Sequence, residues 1–293
     1  MTLLDGKVIS EAVKNEIKKE VASLIDAGKR APHLVAVLVG SDPASQSYVA
    51  SKDKACKSIG MTSSLYLLDE TITEQELLKT IHFLNNDPDV DGFIVQQPLP
   101  KHINADTILE AINPEKDVDG FHPTNVGKMA LGLDTFLPAT PYGIMELLER
   151  YDIQTEGKHV VVLGRSNIVG TPVSLLLSRK AKRGNATVTL CHSKTDNLAD
   201  YCRQADILIA AIGQPHFVTA DMVKPGAVII DVGIHRIEDA SKEKGYYITG
   251  DVKFDEVSKI ASAITPVPGG IGLMTIAALL MNTMKAYHKN QKQ

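Results

Sequence analysis

Short apolar, β-branched runs alternate with helical segments along almost the whole chain, and this alternation constrains the fold more than any other feature. HLVAVLVG (33–40), SSLYLLD (63–69) and DGFIVQQPLP (91–100) read as strands. Helix signals lie before and between them. Ile9, Val13, Ile17, Val21 and Ile25 recur every four residues ahead of a Gly28 stop. Thr73-Glu74-Gln75-Glu76 is a capping box that opens a helix carrying Leu77, Leu78, Ile81 and Leu84. Such a succession winds into a mostly parallel sheet. HVVVLG, ATVTLC (186–191), DILIAAIG (206–213) and AVIIDVG (227–233) repeat the pattern as buried strands of a second, dinucleotide-type sheet. Between the two series, NPEKDVDGFHPTNVGKMALG has little periodicity and reads as a functional loop region leading to a hinge. TPYGIMELLERYDI (140–153) reads as a connecting helix. The last helix, after AITPVPGGIG, is placed to return to the first domain. The predicted fold class is α/β, with two α/β domains.

A chain of 293 residues accommodates this arrangement. Its formal charge of −4 gives no basic field for nucleic acid or anionic membrane. MTLLDGKVIS lacks the apolar core of a signal peptide, and IGLMTIAALLM is too short to span a bilayer. Three cysteines, Cys56, Cys191 and Cys202, form no CxxC, so a reduced, cytoplasmic setting is the expectation. The histidines show neither HxH nor HExxH spacing, so no protein-held metal is expected.

SQSYVASKDK carries Tyr48 and Lys52 four residues apart, hence one turn apart on one helix face. Asp42 can cap that helix, and Pro43 suits its first turn. The pair is either an ordinary surface pair or working groups of an active site. Short-chain dehydrogenases use a YxxxK pair, but their glycine turn precedes it. Here the glycine turn begins only at Gly164, which argues against that reading.

In VVVLGRSNIVG, Gly164 ends a strand and Gly170 opens a helix. Ser166 stands where GxGxxG has its second glycine, so the match is imperfect. The order strand, turn, helix still suits phosphate binding at a helix start. NAD sites usually place a carboxylate at the end of the next strand. Here that strand runs into Cys191-His192-Ser193-Lys194. Ser193 and Arg165 can instead bind a 2′-phosphate, which favours NADP over NAD. Gln96 and Gln97 follow the third strand, where open sheets present ligand groups, although an exposed amide pair is also common. Asp117 and Asp119 in KDVDG are either ligand groups or a turn ahead of Gly120.

Taken in order, SYVASKDKACKSIGM, DGFIVQQPLP, NPEKDVDGFHP, GRSNIVGTPV and ITPVPGGIG resemble the bifunctional methylenetetrahydrofolate dehydrogenase/methenyltetrahydrofolate cyclohydrolase family over nearly the whole chain. The resemblance implies an N-terminal catalytic, folate-binding domain over 1–139, completed by 269–293. A Rossmann NADP-binding domain follows over 140–268, with a cleft shared by both domains and a homodimer. It places the catalytic lysine at Lys52, the substrate-stacking tyrosine at Tyr48, the lysine-tuning glutamine at Gln96 and the pterin-binding aspartate at Asp119. Cofactor positions fall on Gly164, Arg165, Ser166, Ser193 and Ile234, and Pro268 and Gly269 are expected near the folate.

The chain departs from the family pattern at Leu273 (often proline), Ala139 (often cysteine) and His235 (often asparagine). The implied activity is NADP-dependent oxidation of 5,10-methylenetetrahydrofolate, then hydrolysis of the methenyl product to 10-formyltetrahydrofolate. Loss of hydride leaves a cation shared with two substrate nitrogens, so that step needs positioning more than acid or base. Hydrolysis needs proton transfers. An ordinary lysine, with a pKa of about 10.4, becomes a better base when desolvated or placed beside a cation. A monofunctional NAD(P) dehydrogenase and a non-catalytic NADP-binding protein are the alternatives. The Tyr48, Lys52, Gln96 and Asp119 set argues against the second of these.

Overall fold

A computed structural model describes residues 1–291. In chain order the elements are β1 (Thr2–Leu3), α1 (Gly6–Asp26), β2 (His33–Val39), α2 (Pro43–Ser58), β3 (Thr62–Leu68), α3 (Glu74–Asn86), β4 (Gly92–Val95), α4 (Ala105–Ala111), α5 (Pro123–Ala130) and α6 (Ala139–Arg150). The chain continues through β5 (His159–Leu163), α7 (Gly170–Ser178), β6 (Thr187–Cys191), α8 (Leu198–Cys202), β7 (Ile207–Ala210), β8 (Val228–Asp231), β9 (His235–Glu238), β10 (Tyr246–Thr249), α9 (Phe254–Val257), β11 (Ala263–Ile264) and α10 (Ile271–Asn290). They divide into two compact units, Met1–Glu11 with Thr140–Thr275, and Ala12–Ala139 with the segment from Ile276.

The second of these units is built on a parallel sheet of order β3-β2-β4. Val35, Val37 and Phe93 are fully buried and meet Leu77, Ile81 and Leu84 of α3. The capping box of α3 is formed, with Thr73 Oγ1 accepting from Glu76 N and Thr73 N donating to Glu76. On α1, Val13, Ile17 and Val21 are buried as the spacing requires, but Ile25 is half exposed at the helix end. α10 joins this unit through its later turns. Asn282 Nδ2 donates to the carbonyls of Val118 and Leu137, both at 2.8 Å, and Asn290 bonds Asp91.

The other unit carries a parallel sheet of order β1-β11-β8-β7-β5-β6. Its core includes Val161, Leu163, Leu208, Ala210 and Ile229. Four details differ from the sequence reading. Residues Met1–Glu11 belong here rather than with 12–139, because β1 pairs in parallel with β11. The strand ATVTLC is an edge strand, half-buried along Val188–Leu190, because only β5 pairs with it. The loop region after residue 113 contains α5, started by Pro123 and capped by His122, with Asn125 and Met129 buried one turn apart. The 269–293 segment divides as well, since residues to Thr275 stay with the six-stranded unit. Its last two residues, Lys292 and Gln293, lie outside the described residues.

Candidate active site and dinucleotide turn

α2 begins where the sequence places it. Asp42 accepts the Ser45 N–H at 2.8 Å, and Pro43 occupies the first turn. Ser45, Val49, Lys52 and Cys56 form the buried stripe of this helix. An ammonium-bearing side chain thus sits in a row otherwise made for packing, and Lys52 is only 7 % exposed. Burying such a group is costly unless it finds an acceptor. The acceptor is Gln96, whose Oε1 takes a hydrogen bond from Lys52 Nζ at 3.2 Å.

The sheet makes that meeting possible. β2 and β4 are direct neighbours, and Gln96 N donates to Val37 O at 2.9 Å, one residue beyond the Val37–Val95 pair. β2 leads into α2, so the carboxyl ends of adjacent parallel strands bring Lys52 and Gln96 together. The Gln96 amide is oriented by a second bond, Nε2 to Gln97 O at 2.6 Å. The Gln97–Pro98 and Val267–Pro268 peptide bonds are cis.

The Tyr48 ring lies one turn before Lys52, with Nζ 5.6 Å from its centroid. Loss of solvent around the phenol raises its pKa, and the charge of Asp119 raises it further. The residue as a whole is 36 % exposed. Cys56, one turn beyond Lys52, is fully buried, and burial pushes its thiol up to about 12.

Asp117 and Asp119 have separated tasks. Asp117 is buried and accepts from Gly120 N, His122 N and Asn125 Nδ2. Burial raises its pKa, opposed by the hydrogen bonds from His122 and Asn125. It is therefore the turn-maker that the sequence left as one of two options. Asp119 is half-buried beside it, in a segment that runs along β4 through a Phe93–Asp117 bridge. Asn282 of α10 holds the same segment from the other side.

The glycine turn lies in the six-stranded unit. Gly164 has φ +104°, and a Cβ there would lie 2.0 Å from Ala211 O. A Cβ on Gly170 would lie 1.8 Å from Gly164 O, so both positions demand glycine. Ser166 lacks the positive φ that would require glycine. Its Oγ accepts from Val169 N at 3.1 Å, one turn before α7 is fully formed. Arg165 is exposed beside it. After β6, His192 and Thr195 close a tight turn that leaves Ser193 exposed at its tip. A backbone cradle closed to any Cβ, with an exposed guanidinium and hydroxyl at hand, fits a phosphorylated dinucleotide. Ile234 is 51 % exposed between β8 and β9, and Pro268 and Gly269 lie between β11 and α10. Gly269 has φ +110° and its carbonyl accepts from Lys7 N.

The structure therefore groups Tyr48, Lys52, Gln96 and Asp119 in one unit. Gly164, Arg165, Ser166, Ser193, Ile234, Pro268 and Gly269 lie in the other. Two family models match the chain. The catalytic domain of tetrahydrofolate dehydrogenase/cyclohydrolase matches residues 4–119, and the NAD(P)-binding domain of the same enzyme matches residues 138–291. The chain belongs to the tetrahydrofolate dehydrogenase/cyclohydrolase family.

Within that family it is 59 % identical over 286 residues to the bifunctional protein FolD of Cytophaga hutchinsonii, covering 98 % of this chain and 99 % of the relative. The FolD dehydrogenase/cyclohydrolase crystal structure from Campylobacter jejuni superposes with a TM-score of 0.93 at 51 % identity, over 99 % of each chain. The Trypanosoma brucei FolD structure, complexed with NADP cofactor and inhibitor, gives 0.94 at 38 % identity, over 100 % of this chain and 99 % of that one. Two residues of the six-stranded unit escaped the sequence reading. Asp231 and Asp251 are buried carboxylates, and His235 bonds to Asp251 at 2.7 Å. The only sequence signal was His235 itself, as a departure from the family pattern.

Proposed function

We propose that the protein oxidises 5,10-methylenetetrahydrofolate to 5,10-methenyltetrahydrofolate with NADP, then hydrolyses that product to 10-formyltetrahydrofolate. The observation that carries the two-activity reading is the hydrogen bond from buried Lys52 to Gln96. Hydride loss needs no such base, whereas hydrolysis does. Bound NADP supplies the hydride acceptor. The Gly164 and Gly170 cradle holds the dinucleotide backbone, Ser166 shapes the turn, and Arg165 and Ser193 take the 2′-phosphate.

The Asp119 carboxylate accepts two parallel bonds from the pterin amino group and ring N–H, a geometry that favours charge-assisted pairing. The Tyr48 ring packs on the aromatic linker of the substrate. The family resemblance supports Pro268 and Gly269 as folate contacts. Attack of water on the methenyl carbon forms a C–O bond and releases a proton. As the ring C–N bond breaks, the carbinol O–H gives up its proton to become the formyl C=O, and the departing nitrogen gains one. Lys52 moves these protons, and Gln96 keeps its amine aimed. Three buried free cysteines suit a reducing, cytoplasmic setting, and family membership supports a homodimer. No helix among the described residues is long and apolar enough to cross a membrane.

The deciding experiment offers methylenetetrahydrofolate with NADP or NAD and follows reduced dinucleotide together with the methenyl chromophore. NADP-dependent reduction, with decay of added methenyl substrate faster than the spontaneous rate, is the expected result. Reduction without accelerated hydrolysis would leave a monofunctional dehydrogenase.

A further inference from the structure

Asp251 is fully buried, and its two carboxylate oxygens serve two different loops. Oδ2 accepts the N–H groups of Ile212 at 2.7 Å and Gly213 at 3.0 Å, in the loop leaving β7. Oδ1 accepts from His235 Nε2 at 2.7 Å, at the start of β9 just beyond β8. The two backbone N–H groups both donate to Oδ2; a carboxylate only accepts, so the bond to Oδ1 takes the imidazole tautomer that carries its proton on Nε2.

The hub is itself anchored. Asp251 N donates to Asp231 Oδ1 at 2.9 Å, and Asp231 also accepts from Gly233 N at 3.0 Å and Val252 N at 2.9 Å. A Cβ on Gly233 would lie 2.4 Å from Asp251 N, so the backbone passes here without room for a side chain. Ile234 is thus clamped on both sides, by Gly233 through Asp231 and by His235 through Asp251. Its own side chain stays half exposed. β7 and β8 are parallel neighbours, and the carboxyl ends of such strands are where dinucleotides rest.

We propose that His235 is a positioning residue for the dinucleotide. Through Asp251 it fixes Ile234 against the Ile212–Gly213 loop and so sets where the nicotinamide end lies. This rests on the dinucleotide-binding reading above. His235 touches no reacting atom in this role, and the hydrolysis carried by Lys52 does not depend on it.

The test compares the full-length protein with His235→Ala and His235→Gln. Glutamine places an N–H donor at about the reach of Nε2. NADP affinity is measured by calorimetry, NADP KM and kcat by reduction, and hydrolysis of methenyltetrahydrofolate without any dinucleotide. Loss of one hydrogen bond to a charged acceptor predicts roughly a tenfold rise in NADP Kd and KM for His235→Ala. Hydrolysis stays at the wild-type rate, and His235→Gln recovers most of the affinity. His235→Phe keeps the ring volume and removes the N–H donor; it provides a second route should His235→Ala fail to fold, and it too is expected to weaken NADP binding while sparing hydrolysis. Unchanged NADP Kd in His235→Ala overturns the proposal. So does a loss of hydrolysis and Tm in step with affinity, or a glutamine variant no better than alanine. If the wild-type protein binds NADP but does not reduce it, the functional reading fails, while the calorimetric comparison still decides the role of His235.

Discussion

Lys52, in the middle of α2, donates a hydrogen bond to Gln96, one residue past the end of β4, across 3.2 Å. Replacing Lys52 with methionine keeps the length of the stem and removes the amine. Cyclohydrolase activity is expected to fall by about 10²- to 10⁴-fold, the range of a lost general acid–base group. Reduction of NADP by methylenetetrahydrofolate should persist. A Lys52→Met protein with full hydrolysis, followed by decay of methenyl absorbance, would remove Lys52 from the chemistry.

Gln96→Ala should cost less, roughly tenfold in hydrolysis, because the amine remains but loses its acceptor. The double variant should be no slower than Lys52→Met alone, since residues acting as a unit are not additive. Additive losses would mean that Gln96 serves the substrate directly and not the lysine.

The two aspartates of KDVDG should separate cleanly. Asp119→Ala is expected to raise the folate KM by about 10- to 100-fold, the value of a charge-assisted pair, with little change in Tm. Asp117→Ala removes the carboxylate that accepts from Gly120 N, His122 N and Asn125 Nδ2, so its signature is a lowered Tm. Thermal unfolding and steady-state kinetics on both variants check the assignment, and an unchanged KM in Asp119→Ala would refute it.

Arg165→Ala and Ser193→Ala should each lower kcat/KM with NADP while leaving NAD turnover nearly unchanged, by about tenfold for the charged contact. An equal loss with both dinucleotides would move the 2′-phosphate elsewhere.

Asp231 is held by three backbone donors, yet burial lifts its carboxyl from 3.8 to about 6. A raised carboxyl contributes stability that is fully present below about 3.8 and lost as pH rises through about 6. The gap corresponds to roughly 3 kcal/mol. Carboxyl ¹³C NMR should place the Asp231 midpoint near 6, and a midpoint near 3.8 would refute the account.

Much of this was legible in the sequence, because βα alternation and the motif order act locally. The α2 cap, the buried runs of β2 and β4, the glycine turn and the capping box of α3 all depend on neighbours a few residues apart. What escaped depends on distant chain. β1 holds two residues and finds its place only through β11. The edge position of β6 is a matter of strand order, which its composition does not encode. Asp231 and Asp251 look like ordinary acids until their donors, which include Ile212, Gly213, Gly233 and Val252, fold around them. Lys52 stands out in the sequence through its spacing from Tyr48, but its place in the packing stripe of α2 is visible only in three dimensions.

The parallel pairing of β2 with β4 has a kinetic consequence. Leu34 pairs with Gly92, so a long stretch of chain must close before the ladder begins. Closure of that kind is slow, because its entropy is lost before its contacts form. Helix α2 can form early from its own cap, but its lysine has no amide to meet until the ladder is complete. On dilution from denaturant, hydrolytic competence should therefore return after the helical signal, which makes enzyme activity a clock for the last long-range step of assembly.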